Sequence, residues 1–107
     1  KVYIKPGNPD SLNDKGSGYL YSINTQDAYN YNIMFKPLIH EVLKTLFENE
    51  ATEAIKLHDY YLNLALNNKP GEIKTYFLNN RQVVIRGGAG SLGTGFRMEI
   101  WAKNVIK

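Results

Sequence analysis

A glycine-rich stretch between two arginines has residue types suited to binding an anion. Five of the nine residues 87–95 are glycine, and Arg86 and Arg97 flank the stretch. Glycines let successive backbone N–H groups turn toward an anion, and the planar guanidinium of arginine matches the geometry of phosphate. The stretch therefore predicts an anion-binding concavity, the alternative being a flexible hairpin loop. The other groups of the stretch that could contact the anion are the backbone N–H groups of Gly88 and Gly90 and the hydroxyls of Ser91 and Thr94.

Residues 88–93 also match G-x-G-x-x-G, the fingerprint of a dinucleotide-binding turn. That turn must open a helix within a β-α-β unit. Here Gly95 and an alternating strand pattern follow instead, and only 14 residues remain after Gly93. A P-loop is excluded as well, because Thr94 occupies the position where its lysine must stand. We therefore expect no nucleotide cofactor.

The two histidines differ in their predicted surroundings. His58 lies near the centre of the apolar arc of the second predicted helix, so its ring should face the sheet or a cleft beside it. It is either a core histidine or a general acid–base group whose pKa is tuned by partial burial. His40 lies between Lys36 and Lys44 on a polar helix face and should be exposed to solvent. Asp59 projects from another side of its helix than His58, which predicts a poor orienting partner.

The sequence offers no metal-binding motif. The chain has no cysteine, and its histidines and carboxylates do not follow the spacing of known zinc or calcium motifs. No G-x-S-x-G motif is present either, so a serine nucleophile of that type is not expected. The sequence thus predicts neither a metal nor a cofactor.

One reaction fits the histidine, arginine and hydroxyl side chains that remain as candidates. It is metal-independent cleavage of RNA through its own 2′-hydroxyl. It needs a base, cations that neutralise the phosphate charge, and a polar proton donor. We assign these roles to His58, to Arg86 and Arg97, and to Thr94. This hypothesis assumes that His58 and the two arginines open into one cleft. The supporting substrate contacts are Lys74, Tyr76 and Tyr61, together with Ser91, Gly88 and Gly90 of the glycine-rich stretch.

Composition permits this function without requiring it. The net charge is +3 and the pI is about 9.1, which suits an anionic partner such as RNA. Small, basic, cysteine-free domains also occur as the nuclease ends of bacterial toxins, and a toxin would imply a tight inhibitory partner, an acidic immunity protein. The alternatives are a non-catalytic module that binds nucleic acid or another anion, and a structural or protein-interaction domain.

The chain has 43% hydrophobic residues and supports one domain spanning 1–107. It begins with Lys1, so we expect it to be cut from a longer protein. No apolar run approaches the roughly 20 residues of a membrane span, and no signal peptide is visible. No membrane partner is therefore expected. The sequence does not decide between a cytoplasmic site of action and secretion.

The predicted elements form an α+β fold. Apolar residues at three- and four-residue spacing predict helices over Lys36–Phe47 and Glu50–Asn67, the second capped by Asn49. Asn79-Asn80 predicts a two-residue hairpin turn, and the segment that holds Tyr29, Tyr31 and the asparagines near them should approach the helices irregularly. We expect two consecutive helices packed on an antiparallel sheet of three to five strands, ending in a three-strand meander. The predicted strands are 1–5, 19–23, 72–78, 81–87 and 95–103.

Overall fold

The computed structural model describes the backbone of residues 2–6, 19–67, 69, 73–90 and 93–101, and the side chains of 21–67, 69, 73–87 and 95–101. Its elements follow one another in the order strand, strand, three helices, then three strands. They are β1 (Val2–Pro6), β2 (Tyr19–Thr25), α1 (Ala28–Met34), α2 (Lys36–Phe47), a 3₁₀ turn (Glu48–Glu50), α3 (Ala51–Leu66), β3 (Lys74–Leu78), β4 (Arg81–Gly90) and β5 (Gly93–Trp101).

The five strands form one antiparallel sheet in the order β1-β2-β5-β4-β3. The last three strands are a meander, and the helices cover one face of the sheet. The predicted α+β class and its two long helices are therefore confirmed. No helix in the described part of the chain is long and apolar enough to cross a membrane.

Strict alternation along β4 and β5 decides which side chains face the helices. Val83 and Ile85 on β4 are fully buried, as are Met98 and Ile100 on β5. Because successive side chains of a strand point to opposite faces, the residues between them project from the other side of the sheet. Each strand thus contributes to the core on one face, and its other face is exposed at Arg86 and Arg97 but buried at Gln82 and Trp101.

The helical region differs from the prediction at two points. Residues 28–34 form a regular helix, α1, because Asp27 caps it by accepting a hydrogen bond of 3.1 Å from the Asn30 N–H. The predicted cap of α3 was wrong, since Asn49 lies within the 3₁₀ turn and Glu50 holds the cap position without a side-chain bond. The Glu50 carboxylate instead accepts a hydrogen bond from the backbone N–H of Asn79.

The structure confirms the prediction for one hairpin and corrects it for the other. The predicted Asn79-Asn80 turn is confirmed, with φ of 51° and 58°, values that asparagine tolerates better than most residues. The interpretation of residues 87–95 as a flexible loop is corrected. The ladder continues through the glycines, pairing Gly88 with Gly95 and ending at the Gly90–Gly93 pair.

Gly87 lets α3 lie directly against β4. A Cβ at this position would overlap the backbone carbonyl oxygen of Tyr61. Only glycine therefore permits the observed approach of the helix to the strand.

Candidate functional site

Arg86 and Arg97 are direct cross-strand neighbours on β4 and β5. Both are exposed, and the core residues beside them show that they project from the sheet face opposite the helices. Directly opposed side chains in an antiparallel pair lie about 4.5–5.5 Å apart at Cβ, so two like charges here repel each other. The two guanidinium groups thus share one small area of surface.

Glu99 joins the two arginines on this face. Its Oε2 accepts a hydrogen bond of 2.6 Å from Nη2 of Arg97, and its side chain is 12% exposed against 54% for Arg97. Among the described residues no carboxylate pairs with Arg86. The three side chains line a groove of about 200 Å³ that also includes Ile73, Val84 and Ile85. We call it the arginine groove.

Sequence reasoning missed Glu99, although the signal was present. In the predicted alternation of β5, Arg97 and Glu99 lie two residues apart and hence on one face. Arg97 was assigned to phosphate binding, but Glu99 was given no role. The cross-strand register, which places Arg86 opposite Arg97, is what distinguishes this surface from a generic one.

A second polar cluster lies on the helix side of the sheet. His58 is fully buried, and its Nδ1 lies 2.9 Å from Oδ1 of Asp59 while its Nε2 lies 2.6 Å from the hydroxyl of Tyr31. His40 Nε2 lies 2.8 Å from the same Asp59 oxygen. Side chains from all three helices are thereby joined, one from α1, one from α2 and two from α3. We call Tyr31, His40, His58 and Asp59 the histidine cluster.

The protonation states of the cluster are mutually consistent. Burial lowers the pKa of His58, and the Asp59 carboxylate offsets this only in part, so the ring is neutral at pH 7. Burial, together with the charge of Asp59, raises the pKa of Tyr31 far above its ordinary value. Tyr31 therefore donates its O–H to Nε2, and His58 donates its Nδ1–H to Asp59.

Asp59 is the acceptor that holds the cluster together. Its partial burial raises the pKa of its carboxyl, but hydrogen bonds from His58 and His40 outweigh that effect and hold the pKa below the ordinary value. The carboxylate is thus ionised at neutral pH. Both histidines donate to one of its oxygens, Oδ1.

Three expectations about these residues were wrong. Asp59 orients His58 through the hydrogen bond to its Nδ1. A helical wheel did not predict this bond, because it compares only Cα–Cβ directions and not how far an imidazole ring reaches toward the next residue. His40 is half-buried rather than solvated, with 23% of its side chain exposed, because α3 packs beside α2 and supplies Asp59. Tyr31, placed in an irregular segment, is fully buried on α1.

The structure does not bring His58 and the arginines into one cleft. The ring of Phe96 packs edge-on against His58, with centroids 5.1 Å apart. Phe96 immediately precedes Arg97 on β5, so Arg97 must project from the opposite face of the sheet. His58 also has both ring nitrogens occupied and no exposed surface, which prevents contact with a substrate.

Three of the supporting candidates, Tyr61, Tyr76 and Lys74, lie on the helix side of the sheet, away from the arginine groove. Tyr61 and Tyr76 bond to each other through their hydroxyls at 2.8 Å, where α3 meets β3. Lys74 pairs with Ile85 and therefore shares its helix-facing side of the sheet. Gly88, Gly90 and Thr94 lie in the β4–β5 ladder, Thr94 opposite Ala89. The side chain of Thr94 and all of Ser91 lie outside the described residues.

Comparison with protein-family models, curated proteins and solved structures gave no match for this chain. Functional assignment therefore depends on the chemistry of the arginine groove and the histidine cluster.

Proposed function

We propose that the domain is a metal-independent ribonuclease whose active site is the arginine groove. The observation that carries this proposal is the placement of a carboxylate, Glu99, beside two cross-strand guanidinium groups, Arg86 and Arg97, on one accessible face. A base and two cations at one place are two of the three kinds of group that the reaction requires, and water serves as the proton donor. The site keeps the arginines expected from the sequence and replaces His58 with Glu99 as the base.

The reaction follows from these positions. Glu99 takes the proton of an RNA 2′-hydroxyl, whose oxygen then attacks the adjacent phosphorus. The two arginines stabilise the added negative charge on the phosphoryl oxygens. The bond from phosphorus to the 5′-oxygen breaks, and that oxygen takes a proton from water. The products are a 2′,3′-cyclic phosphate and a free 5′-hydroxyl, and no metal ion takes part.

The opposed arginines support an anionic ligand on physical grounds. Two like charges directly across a strand pair weaken the sheet, and Glu99 compensates only Arg97. A phosphate placed between the guanidinium groups removes the repulsion and gains charge-assisted hydrogen bonds from both. RNA binding is therefore expected to stabilise the hairpin formed by β4 and β5.

The second candidate function is RNA or anion binding without cleavage. It is favoured by the hydrogen bond between Glu99 and Arg97, because that bond occupies one carboxylate oxygen and makes the group a weaker proton acceptor. Both functions use the arginine groove and predict salt-sensitive binding. They differ in whether the RNA is cut.

Total RNA and DNA of matched length, incubated with the protein in EDTA, test the proposal. We expect RNA to be cut and DNA to stay intact, since DNA lacks the 2′-hydroxyl. Arg86→Ala should abolish cutting, whereas Lys44→Ala, at an exposed lysine on α2, should cut like wild type. Intact RNA bound in a low-salt mobility shift would leave only the binding function, and intact unbound RNA would exclude both.

A protein inhibitor of this enzyme is expected to be acidic where it covers the arginine groove. Its carboxylates would replace the phosphates of RNA as partners of Arg86 and Arg97. Such a partner is the one that a toxin effector domain requires. Competition between this partner and RNA for the groove would be lost in Arg86→Ala.

A further inference from the structure

We infer that His40, His58 and Asp59 form a binding site for a divalent transition-metal ion of the zinc class. Each residue offers one ligand atom, and these atoms all lie within 4.8 Å of one another. His40 is contributed by α2, and the other two residues by α3. This inference concerns the helix side of the sheet and is independent of the proposed ribonuclease function.

The directions of the ring nitrogens support the assignment. His58 Nδ1 and His40 Nε2 lie 2.9 Å and 2.8 Å from the same oxygen of Asp59. A zinc ion with bonds of about 2.0–2.1 Å in tetrahedral geometry holds its ligand atoms roughly 3.3 Å apart. Each ring nitrogen therefore needs to move about half an ångström away from Asp59, and the two nitrogens, which lie within 4.8 Å of each other, must come to the same separation.

A metal ion can replace the hydrogen bond between a histidine nitrogen and Asp59 without adding a proton to the ring. The imidazole of His58 directs its Nδ1–H at Asp59, and on metal binding it keeps that proton on its other nitrogen. For His58 the other nitrogen is Nε2, which then donates to the hydroxyl oxygen of Tyr31. A metal-bound histidine that donates its second N–H to a neighbouring group is the usual outer arrangement of such sites.

The donor set and its exposure identify the class of ion. Two imidazoles and one carboxylate suit zinc and the neighbouring transition metals, whereas magnesium and calcium prefer oxygen ligands alone. His58 is fully buried, but 23% of the His40 side chain and 34% of Asp59 are exposed. That exposed side provides an entry path and a fourth position for water. Local motif spacing missed the set because 19 residues separate His40 from Asp59.

Titration of the whole chain with ZnCl₂, followed by calorimetry and thermal melting, tests the inference. Co²⁺ serves as the second probe, since its visible absorption reports tetrahedral coordination. We expect a single ion to bind per chain and to raise the melting temperature by linkage. His40→Gln and Asp59→Asn should each weaken Zn²⁺ binding at least about tenfold. Both side chains are partly exposed, so folding should be retained and is checked by circular dichroism.

Glu41→Gln is the matched control, because it removes an exposed carboxylate adjacent to His40 on α2 and should bind Zn²⁺ like wild type. Absence of Zn²⁺ binding in wild type overturns the inference. Equal affinity in wild type and His40→Gln overturns it too, since the ion would then lie elsewhere. The ribonuclease assay is run in EDTA, so its result is separate from either outcome.

Discussion

Arg86 and Arg97 lie directly opposite each other on adjacent antiparallel strands, with both side chains on the sheet face away from the helices. The relationship is electrostatically unfavourable in isolation. Glu99 balances one of the two charges through its 2.6 Å contact with Arg97. The groove thereby carries surplus positive charge beside one carboxylate.

Arg86→Glu should separate stability from RNA recognition. A glutamate opposite Arg97 replaces repulsion with a cross-strand ion pair worth about 0.2–1 kcal/mol, so the melting temperature should rise. RNA binding in a low-salt mobility shift should be lost, because one guanidinium is replaced by a negative charge. A variant that melts lower and still binds RNA would contradict the proposed role of the pair.

Tyr31→Phe should weaken the fold and leave RNA cleavage unchanged. It removes the donor to His58 Nε2 and leaves a buried acceptor without its partner, at a cost of about 1–3 kcal/mol. The histidine cluster lies on the other side of the sheet from the arginine groove. Urea denaturation measures the loss of stability, and the cleavage rate is measured at urea concentrations below the unfolding transition. A lower cleavage rate in the folded variant would contradict the separation of the two sites.

Gly87→Ala should destabilise the packing of α3 on β4. The added methyl group overlaps the Tyr61 carbonyl and forces the helix or the strand to shift, at a cost of about 1–3 kcal/mol. Arg86→Ala, one residue away on the same strand, is the control and should change stability by no more than about 0.5 kcal/mol. Equal denaturation midpoints for the two variants would show that the close approach is not required.

The free energy of unfolding should fall as the pH drops below about 6.5, the ordinary histidine pKa. Burial lowers the pKa of His58 in the folded protein, so the unfolded chain binds the proton first and stability is complete only above that pH. The groups facing the ring are Tyr31, Asp59 and His40, with Lys36 close enough to disfavour a second positive charge. Urea denaturation in EDTA at several pH values measures the slope, and a flat profile across the histidine range would contradict the buried neutral ring.

Hydrophobic periodicity was enough to predict the fold class and the two long helices, but not α1. The spacing of apolar residues located α2 and α3, and alternation located β5, because burial of one face imposes these periods directly. Asn79-Asn80 identified its hairpin since few residues accept positive φ at both positions. The glycines at 88–95 were misinterpreted because glycine permits a loop but does not prevent a ladder.

The sites were less predictable because they depend on neighbours that are distant in the sequence. The bond from His40 to Asp59 exists only once α2 packs against α3. The pairing of Arg86 with Arg97 requires the β4–β5 register, which residue types alone do not give. His58 was correctly placed on the apolar side of its helix, but its lack of exposed surface depends on Phe96 and Tyr31.

The most direct test of the arginine groove as an RNA-cleaving site is the single-turnover rate of RNA cleavage in EDTA by wild type and Glu99→Gln. The glutamine keeps the shape of the side chain and a hydrogen-bond acceptor for Arg97 but cannot take the 2′-hydroxyl proton. The proposed role of Glu99 as the base predicts 2′,3′-cyclic phosphate ends from wild type and a rate lowered about 10²–10⁴-fold in the variant. Equal rates for the folded variant and wild type would contradict it.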